Sequence, residues 1–249
     1  MELQQGECDV TRGELGILML QDPANDQPGS LYHPTTFPFP TICRRVPGAW
    51  VKNVVFGGED EIMEAAFISA ARDMVRDGAV GITSNCGFTI KYQRAMRRAL
   101  SVPVSMSSLL LLPYLAATIK GRIGILSFDS RPLTPDLLKL VGLKLHNRIA
   151  IAGIENSETW KAVMSKSGSN RDDAERKENY TSSQLTRDVL AAVALLRKRD
   201  DDIDALLFEC AGFPVVTKEV REQTGLPVYD AVSNAKALMS GYGLAAPVR

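Results

Sequence analysis

Two cysteines stand in matching surroundings. In Ala79-Val-Gly-Ile-Thr-Ser-Asn-Cys86-Gly-Phe and in Asp204-Ala-Leu-Leu-Phe-Glu-Cys210-Ala-Gly-Phe-Pro, an apolar, strand-like run reaches a thiol and breaks into small residues. Two thiols at equivalent strand ends suit one kind of chemistry. One sulfur, as thiolate, removes a proton from one face of a carbon, and the other, as thiol, returns a proton to the opposite face. An isolated cysteine is by default a small core hydrophobe. Position is what sets this pair apart. Gly87 follows the first and Ala211-Gly212 the second, and such residues let backbone N–H groups approach a ligand and form an anion nest where the next helix starts. A substrate carboxylate would dock there. A helix start is also expected to lower a thiol from its free pKa of about 8.5, leaving one sulfur ionised and one protonated.

Proton removal beside a carboxylate leaves charge that must be stabilised by preorganised donors. Ser84, Asn85 and Thr36 are candidates, although each residue type equally forms turns and caps. The expected substrate-binding set is therefore Thr36, Ser84, Asn85, Gly87, Phe88, Ala211 and Gly212, around Cys86 and Cys210 as the acid/base pair. Cys8 lies near the first residues and Cys43 follows a Pro-rich stretch, and neither has the strand-to-turn setting. Tyr32, His33 and Thr35 could line a cleft, but a lone loop histidine is more often merely exposed. No C-x-x-C pair occurs and the histidines, His33 and His146, lie far apart, so no metal site is expected. No G-x-G-x-x-G or phosphate-loop pattern is present, which argues against nucleotide binding. No cofactor is expected.

Positioning two strand-end thiols requires two similar halves, and the chain reads that way. Glu14-Leu-Gly-Ile-Leu-Met-Leu and Arg122-Ile-Gly-Ile-Leu-Ser-Phe-Asp are near-copies that read as buried strands. After the first, residues 59–76 have helical apolar spacing, stopped by Asp77-Gly78 before the Cys86 strand. After the second, 134–141 and 181–199 read as helices leading to the Cys210 strand. Each thiol is followed by a further helix and strand: 91–100 and 102–106, then 215–224 and 226–229. A last helix at about 233–239 is expected to return to the first half. Alternating strands and helices imply α/β lobes with parallel sheets, whose ligands bind beyond the strands' carboxyl ends. The expected lobes are 1–108 plus 226–249, and 109–225. Residues 22–47, rich in Pro, Gly, Thr and Asn, read as a candidate lid or a stiff surface excursion. The charged stretch 165–179 reads as solvated.

Composition narrows the partner. With 249 residues and 45% hydrophobic residues, the chain can fill sizeable cores. Lys plus Arg equals Asp plus Glu at 29 each, so no net charge argues for nucleic acid or an anionic membrane. The apolar run 109–119 is too short to span a bilayer and reads as core or as an interface in a homo-oligomer. The acidic first residues are unlike a signal peptide, so the expected location is cytoplasmic. The expected partner is a small carboxylate-bearing molecule.

The two cysteine segments, together with Gly16-Ile-Leu-Met-Leu, Thr35-Thr-Phe-Pro-Phe-Pro, Arg122-Ile-Gly-Ile-Leu and Thr224-Gly-Leu-Pro-Val-Tyr-Asp, resemble the aspartate/glutamate/hydantoin racemase superfamily over most of the chain. The resemblance implies two pseudo-symmetric α/β lobes with an interlobe site and two-base thiol chemistry without a cofactor. Glutamate racemases carry Asn-Thr after the first cysteine and Thr after the second. Here Gly87-Phe88 and Ala211-Gly212 stand instead, the second nearer the hydantoin racemase branch. The retained pair argues against the single-thiol decarboxylase pattern. The expected function is a cofactor-independent racemase or epimerase of an amino acid or derivative. A lyase or maleate-type cis-trans isomerase on the same two-cysteine site is the alternative, and a non-catalytic metabolite-binding protein is a third reading.

Overall fold

A computed structural model of the chain describes residues 13–22, 27–58, 60–142, 148–167 and 180–242. Cys8, Glu59 and most of the 165–179 stretch lie outside the described residues. Two four-stranded parallel sheets form the frame, ordered β2-β1-β3-β4 and β6-β5-β7-β8. The first uses β1 (Glu14–Met19), β2 (Thr41–Arg45), β3 (Ala79–Ser84) and β4 (Val104–Ser105); the second uses β5 (Arg122–Ser127), β6 (Ile149–Gly153), β7 (Ile203–Phe208) and β8 (Val228–Tyr229). The strand order is the same in both sheets, and the repeated β1 and β5 segments are the equivalent inner strands. The two-lobe α/β architecture expected from the sequence is thus present.

The repeat has a packing reason. At Gly16 of β1 a Cβ would lie 2.5 Å from the Ile82 side chain, and at Gly124 of β5 a Cβ would lie 2.9 Å from Leu196 and Leu206. Bare backbone lets α2 (Glu61–Arg76) close on the first sheet and α7 (Ser182–Arg199) close on the second. Asp60 caps α2 by accepting from the Ile62 and Met63 N–H groups, and Met63, Phe67, Ala70, Ala71 and Met74 form its buried stripe. Thr181 and Gln184 make a capping box for α7, which buries Leu185, Val189, Ala192, Val193 and Leu196.

Several boundaries differ from the sequence expectation. Residues 41–45, read as part of a loop, form the edge strand β2, and β6 is the matching edge of the second sheet. Among the other described residues of the 22–47 stretch, Leu31 and Phe37 are buried, Phe37 stacks on Phe39, and Thr36 donates to the Ser30 carbonyl. Two short helices were not anticipated, α1 (Val51–Phe56) and α6 (Glu158–Lys166). Each thiol is followed first by a 3-10 turn, Gly87–Tyr92 and Phe213–Val216, and then by α3 (Gln93–Ala99) or α8 (Thr217–Thr224). The 109–119 run becomes a 3-10 turn and α4 (Leu112–Thr118), while α5 (Pro135–Lys139) is shorter than expected.

The lobe boundary expected at 226 is also corrected. Strand β8 pairs with β7 in the second sheet, Leu206 opposite Val228. The chain then crosses as α9 (Ala231–Ser240), whose Asn234 accepts from the Ser105 hydroxyl of β4 at 2.7 Å and whose Met239 packs with Leu15 and Ile17. Among the described residues no helix is long and apolar enough to cross a membrane.

Candidate active site

The carboxyl ends of the four inner strands meet at one cleft. Leu20 and Asp22 follow β1, Asn85 to Phe88 follow β3, Ser127 to Asp129 end β5, and Glu209 to Gly212 follow β7. Cys86, Asn85, Gly87, Phe88, Cys210, Ala211 and Gly212 are therefore brought together as the sequence implied. The remaining two are not. Ser84 is buried on β3, its hydroxyl without a hydrogen-bond partner among the described residues, and Thr36 donates to the Ser30 carbonyl at 2.7 Å. Neither lines the cleft.

The two thiols are held alike. The Gly212 N–H lies 3.3 Å from Cys210 Sγ, and the Phe88 N–H bonds Cys86 in the same two-residue relation. The Phe128 backbone adds a second contact to Cys210. Thr89 Oγ1 lies 2.6 Å from the Cys86 carbonyl and 2.7 Å from that of Met106, fixing the first turn. The expectation that a helix start lowers a thiol's pKa is not met in the ligand-free cleft. Burial and then the neighbouring Glu209 push Cys86 up to about 12, and the same causes push Cys210 well above the ordinary thiol value. Backbone donors oppose this only in part, because desolvation of the charged form dominates at a fully buried sulfur.

Glu209 is the residue that the sequence reading missed. It is 1% exposed, and its Oε2 accepts from the Ser127 hydroxyl at 2.7 Å while Oε1 has no partner among the described residues. Burial raises its carboxyl to about 8. Gly87 lies flat against it: a Cβ there would sit 2.2 Å from Oε1. The signal was the repeat itself, which sets Glu209 opposite Asn85, each one residue before a thiol.

The rest of the lining is aromatic and acidic. Phe128 stacks on Trp160 at 5.3 Å and meets the Tyr180 edge at 6.3 Å. Asp129, 1% exposed, is bonded by Trp160 and paired with Arg131, which holds its carboxyl below the usual carboxylate range against the opposing effect of burial. Asp22 accepts from the Val51 N–H, and Arg45 donates to the carbonyls of Leu20, Gln21 and Asp22 to fix that turn. Among the described residues lining the cleft there is no Lys or Arg. No cluster of three or more His, Cys, Asp or Glu able to hold a metal ion occurs among the described residues.

This fold is that of the Asp/Glu racemase superfamily. It matches a variant of arylmalonate decarboxylase with a TM-score of 0.60 at 17% identity, covering 92% of this chain and 93% of the other. It matches glutamate racemase from Bacillus anthracis with a TM-score of 0.58 at 15% identity, covering 94% and 84%. Allantoin racemase from Klebsiella pneumoniae gives 0.54 at 14% identity, covering 94% and 90%. No family model matches the chain. Sequence relatives are more specific. The chain is 30% identical over 241 residues to a dimethylsulfoniopropionate lyase of Durusdinium sp. clade D, covering 94% of this chain and 76% of that protein, and it belongs to the same enzyme family. It is 28% identical to dimethylsulfoniopropionate lyase 7 of Emiliania huxleyi (strain CCMP1516), covering 91% of this chain and 66% of that protein.

Proposed function

We propose that the cleft carries out a lyase reaction on a small zwitterion bearing a carboxylate and a sulfonium, of the dimethylsulfoniopropionate type. The observation that carries this reading is the 30% identity to a lyase so named over 94% of the chain. The cleft is chemically suited to it. Aromatic faces attract methylated cations, and Phe128, Trp160 and Tyr180 line one wall. Asp22 and Asp129, with no lining Lys or Arg among the described residues, favour a ligand carrying its own positive charge over a dicarboxylate.

In this reaction a thiolate takes the proton next to the substrate carboxylate. The electron pair forms the new carbon–carbon double bond, the carbon–sulfur bond breaks, and neutral dimethyl sulfide departs with its electrons, leaving acrylate. The leaving group needs no proton, so one thiol suffices as base. The second sulfhydryl and the N–H groups of the strand-end turns stabilise charge on the carboxylate as it grows. The cationic substrate also answers the thiols' high resting pKa: a positive charge beside a sulfur favours its ionised form.

A second reading, the racemase, is favoured by one observation, that Cys86 and Cys210 occupy equivalent ends of β3 and β7 as two-base inversion requires. One experiment separates them. The protein is incubated with dimethylsulfoniopropionate and, in parallel, with chiral amino acids and hydantoins in deuterated water. Equal amounts of dimethyl sulfide and acrylate support the lyase. Inversion with deuterium at the reacting carbon and no sulfide overturns it in favour of the racemase.

A further inference from the structure

Glu209 has a feature that an ordinary buried carboxyl lacks: one oxygen is satisfied and the other is not. Ser127 donates to Oε2 at 2.7 Å, while Oε1 lies buried and unpartnered against the Gly87 backbone. That backbone begins the turn after Cys86 on which the substrate carboxylate is expected to dock, so a carboxylate seated on the Gly87–Phe88 turn would meet Oε1. A carboxyl that faces a bound carboxylate at close range must be protonated, since two like charges in a desolvated site cannot both ionise. A neutral acid there is a hydrogen-bond donor.

We propose that Glu209 is a catalytic residue that acts as a neutral carboxylic acid, donating a hydrogen bond from Oε1 to the substrate carboxylate and strengthening it as the neighbouring carbon loses its proton. The proton stays on Glu209, shared with the substrate oxygen on which charge accumulates, and returns fully to Glu209 as the product's double bond forms. Ser127 is its positioning residue. The inference rests on the reading of the cleft as a carboxylate site. Surrounding groups are consistent with it. Cys86 faces Glu209 from the first lobe and Cys210 follows it in the chain, both thiols raised by its presence. Asp22 and Lys91 act on Cys86 from farther away, and Asp129 is already paired with Arg131. Burial holds the Glu209 proton up to about 8, so the acid is neutral near pH 7.

The test uses propionate, a carboxylate with no leaving group, so that it stands apart from the lyase assay. Propionate binding is followed by NMR line broadening across neutral and alkaline pH. In the intact protein affinity should fall about tenfold per pH unit once Glu209 ionises, while both thiols remain protonated. Glu209→Gln keeps a donor and should bind within a few-fold of the intact protein, with no alkaline fall. Ser127→Ala removes a bond that favours ionisation and should move the fall to higher pH. The same alkaline limb should appear in the rate of dimethyl sulfide release and vanish in Glu209→Gln. Equal, pH-independent binding by the intact protein and Glu209→Gln overturns the proposal, as does an alkaline fall that Ser127→Ala leaves in place. Propionate results as expected without any sulfide release would overturn the lyase reading and leave Glu209's role standing.

Discussion

Asn85 and Glu209 are equivalent residues of the two lobes. The Asn85 N–H donates to the Leu18 carbonyl at 2.9 Å and the Glu209 N–H to the Leu126 carbonyl at 2.8 Å, each bond extending a parallel strand pair by one residue before a thiol. The pseudo-symmetry then breaks in chemistry: Asn85 spends its Oδ1 on the Leu20 N–H at 2.9 Å, whereas Glu209 keeps Oε1 unpartnered. A symmetric pair of sulfurs thus sits in an asymmetric polar frame, which suits a reaction that needs one base and one stabilising acid better than one in which the two faces exchange roles.

Gly87 is a point of close contact between the lobes. Because a Cβ would lie 2.2 Å from Glu209 Oε1 and 2.3 Å from its carbonyl oxygen, Gly87→Ala should displace Glu209 or the Cys86 turn. Overpacking of this kind costs about 1–3 kcal/mol, read as a lower midpoint in urea unfolding together with a loss of activity. Unchanged stability and activity would show that the lobes are farther apart than described.

Glu209 also makes stability depend on pH. Its folded carboxyl is raised from 4.5 to about 8, so in that window the folded state holds a proton that the unfolded state has released. Stability is then fully present below the unfolded value and is lost as pH rises, by about 1.4 kcal/mol per unit for this single group. Glu209→Gln should remove that slope. Urea unfolding of both proteins between about pH 5 and pH 8 should show the variant gaining steadily on the intact protein; parallel curves would contradict the buried neutral acid.

Trp160 is stacked on Phe128 and bonded to Asp129 in the cleft lining, and under the proposed lyase reading it meets the cationic end of the substrate. A desolvated cation on an aromatic face is worth about 0.5–2 kcal/mol, so Trp160→Leu should raise KM for the sulfonium substrate by about 2- to 30-fold. Inhibition by the carbon isostere, which keeps the carboxylate but has an uncharged carbon in place of the sulfonium, should change little. Equal losses for both ligands would indicate that Trp160 only shapes the cleft.

The proposed lyase reaction uses both thiols, but unequally. Removing the general base costs about 100- to 10,000-fold, so one of Cys86→Ser and Cys210→Ser should fall in that range. The other should retain part of the activity, since a serine hydroxyl can still donate to the growing charge. Steady-state rates of sulfide release check this, and two variants with near-intact activity would remove the thiols from the mechanism.

Much of this arrangement is written locally in the sequence. The apolar runs of β1, β3, β5 and β7 are buried on both faces, and the stripe of α2 repeats at helical spacing, so both are visible without tertiary information. The edge strand Thr41-Ile-Cys-Arg-Arg is only half-buried, so it carries no apolar run and reads as loop. Thr36 fits a turn as well as a site, and the fold uses it in the loop. Glu209 was hidden by its neighbours: between Phe208 and Cys210 a carboxylate looks incidental until the two lobes are superposed and its burial against Gly87 is seen. The thiol pKa values were legible only in part, since a helix start can be read from sequence while desolvation by burial in the folded chain cannot.

Under the proposed lyase reading, a thiol in this cleft removes the proton beside the substrate carboxylate and so releases the sulfide. The most direct test compares dimethyl sulfide release from dimethylsulfoniopropionate and from its form deuterated beside the carboxylate, in the intact protein and in Cys86→Ala and Cys210→Ala. Release should be slower from the deuterated substrate, with acrylate formed in equal amount, and should not exceed background in the variant lacking the base. Release at the same rate from both variants, or no sulfide from the intact protein, would contradict it.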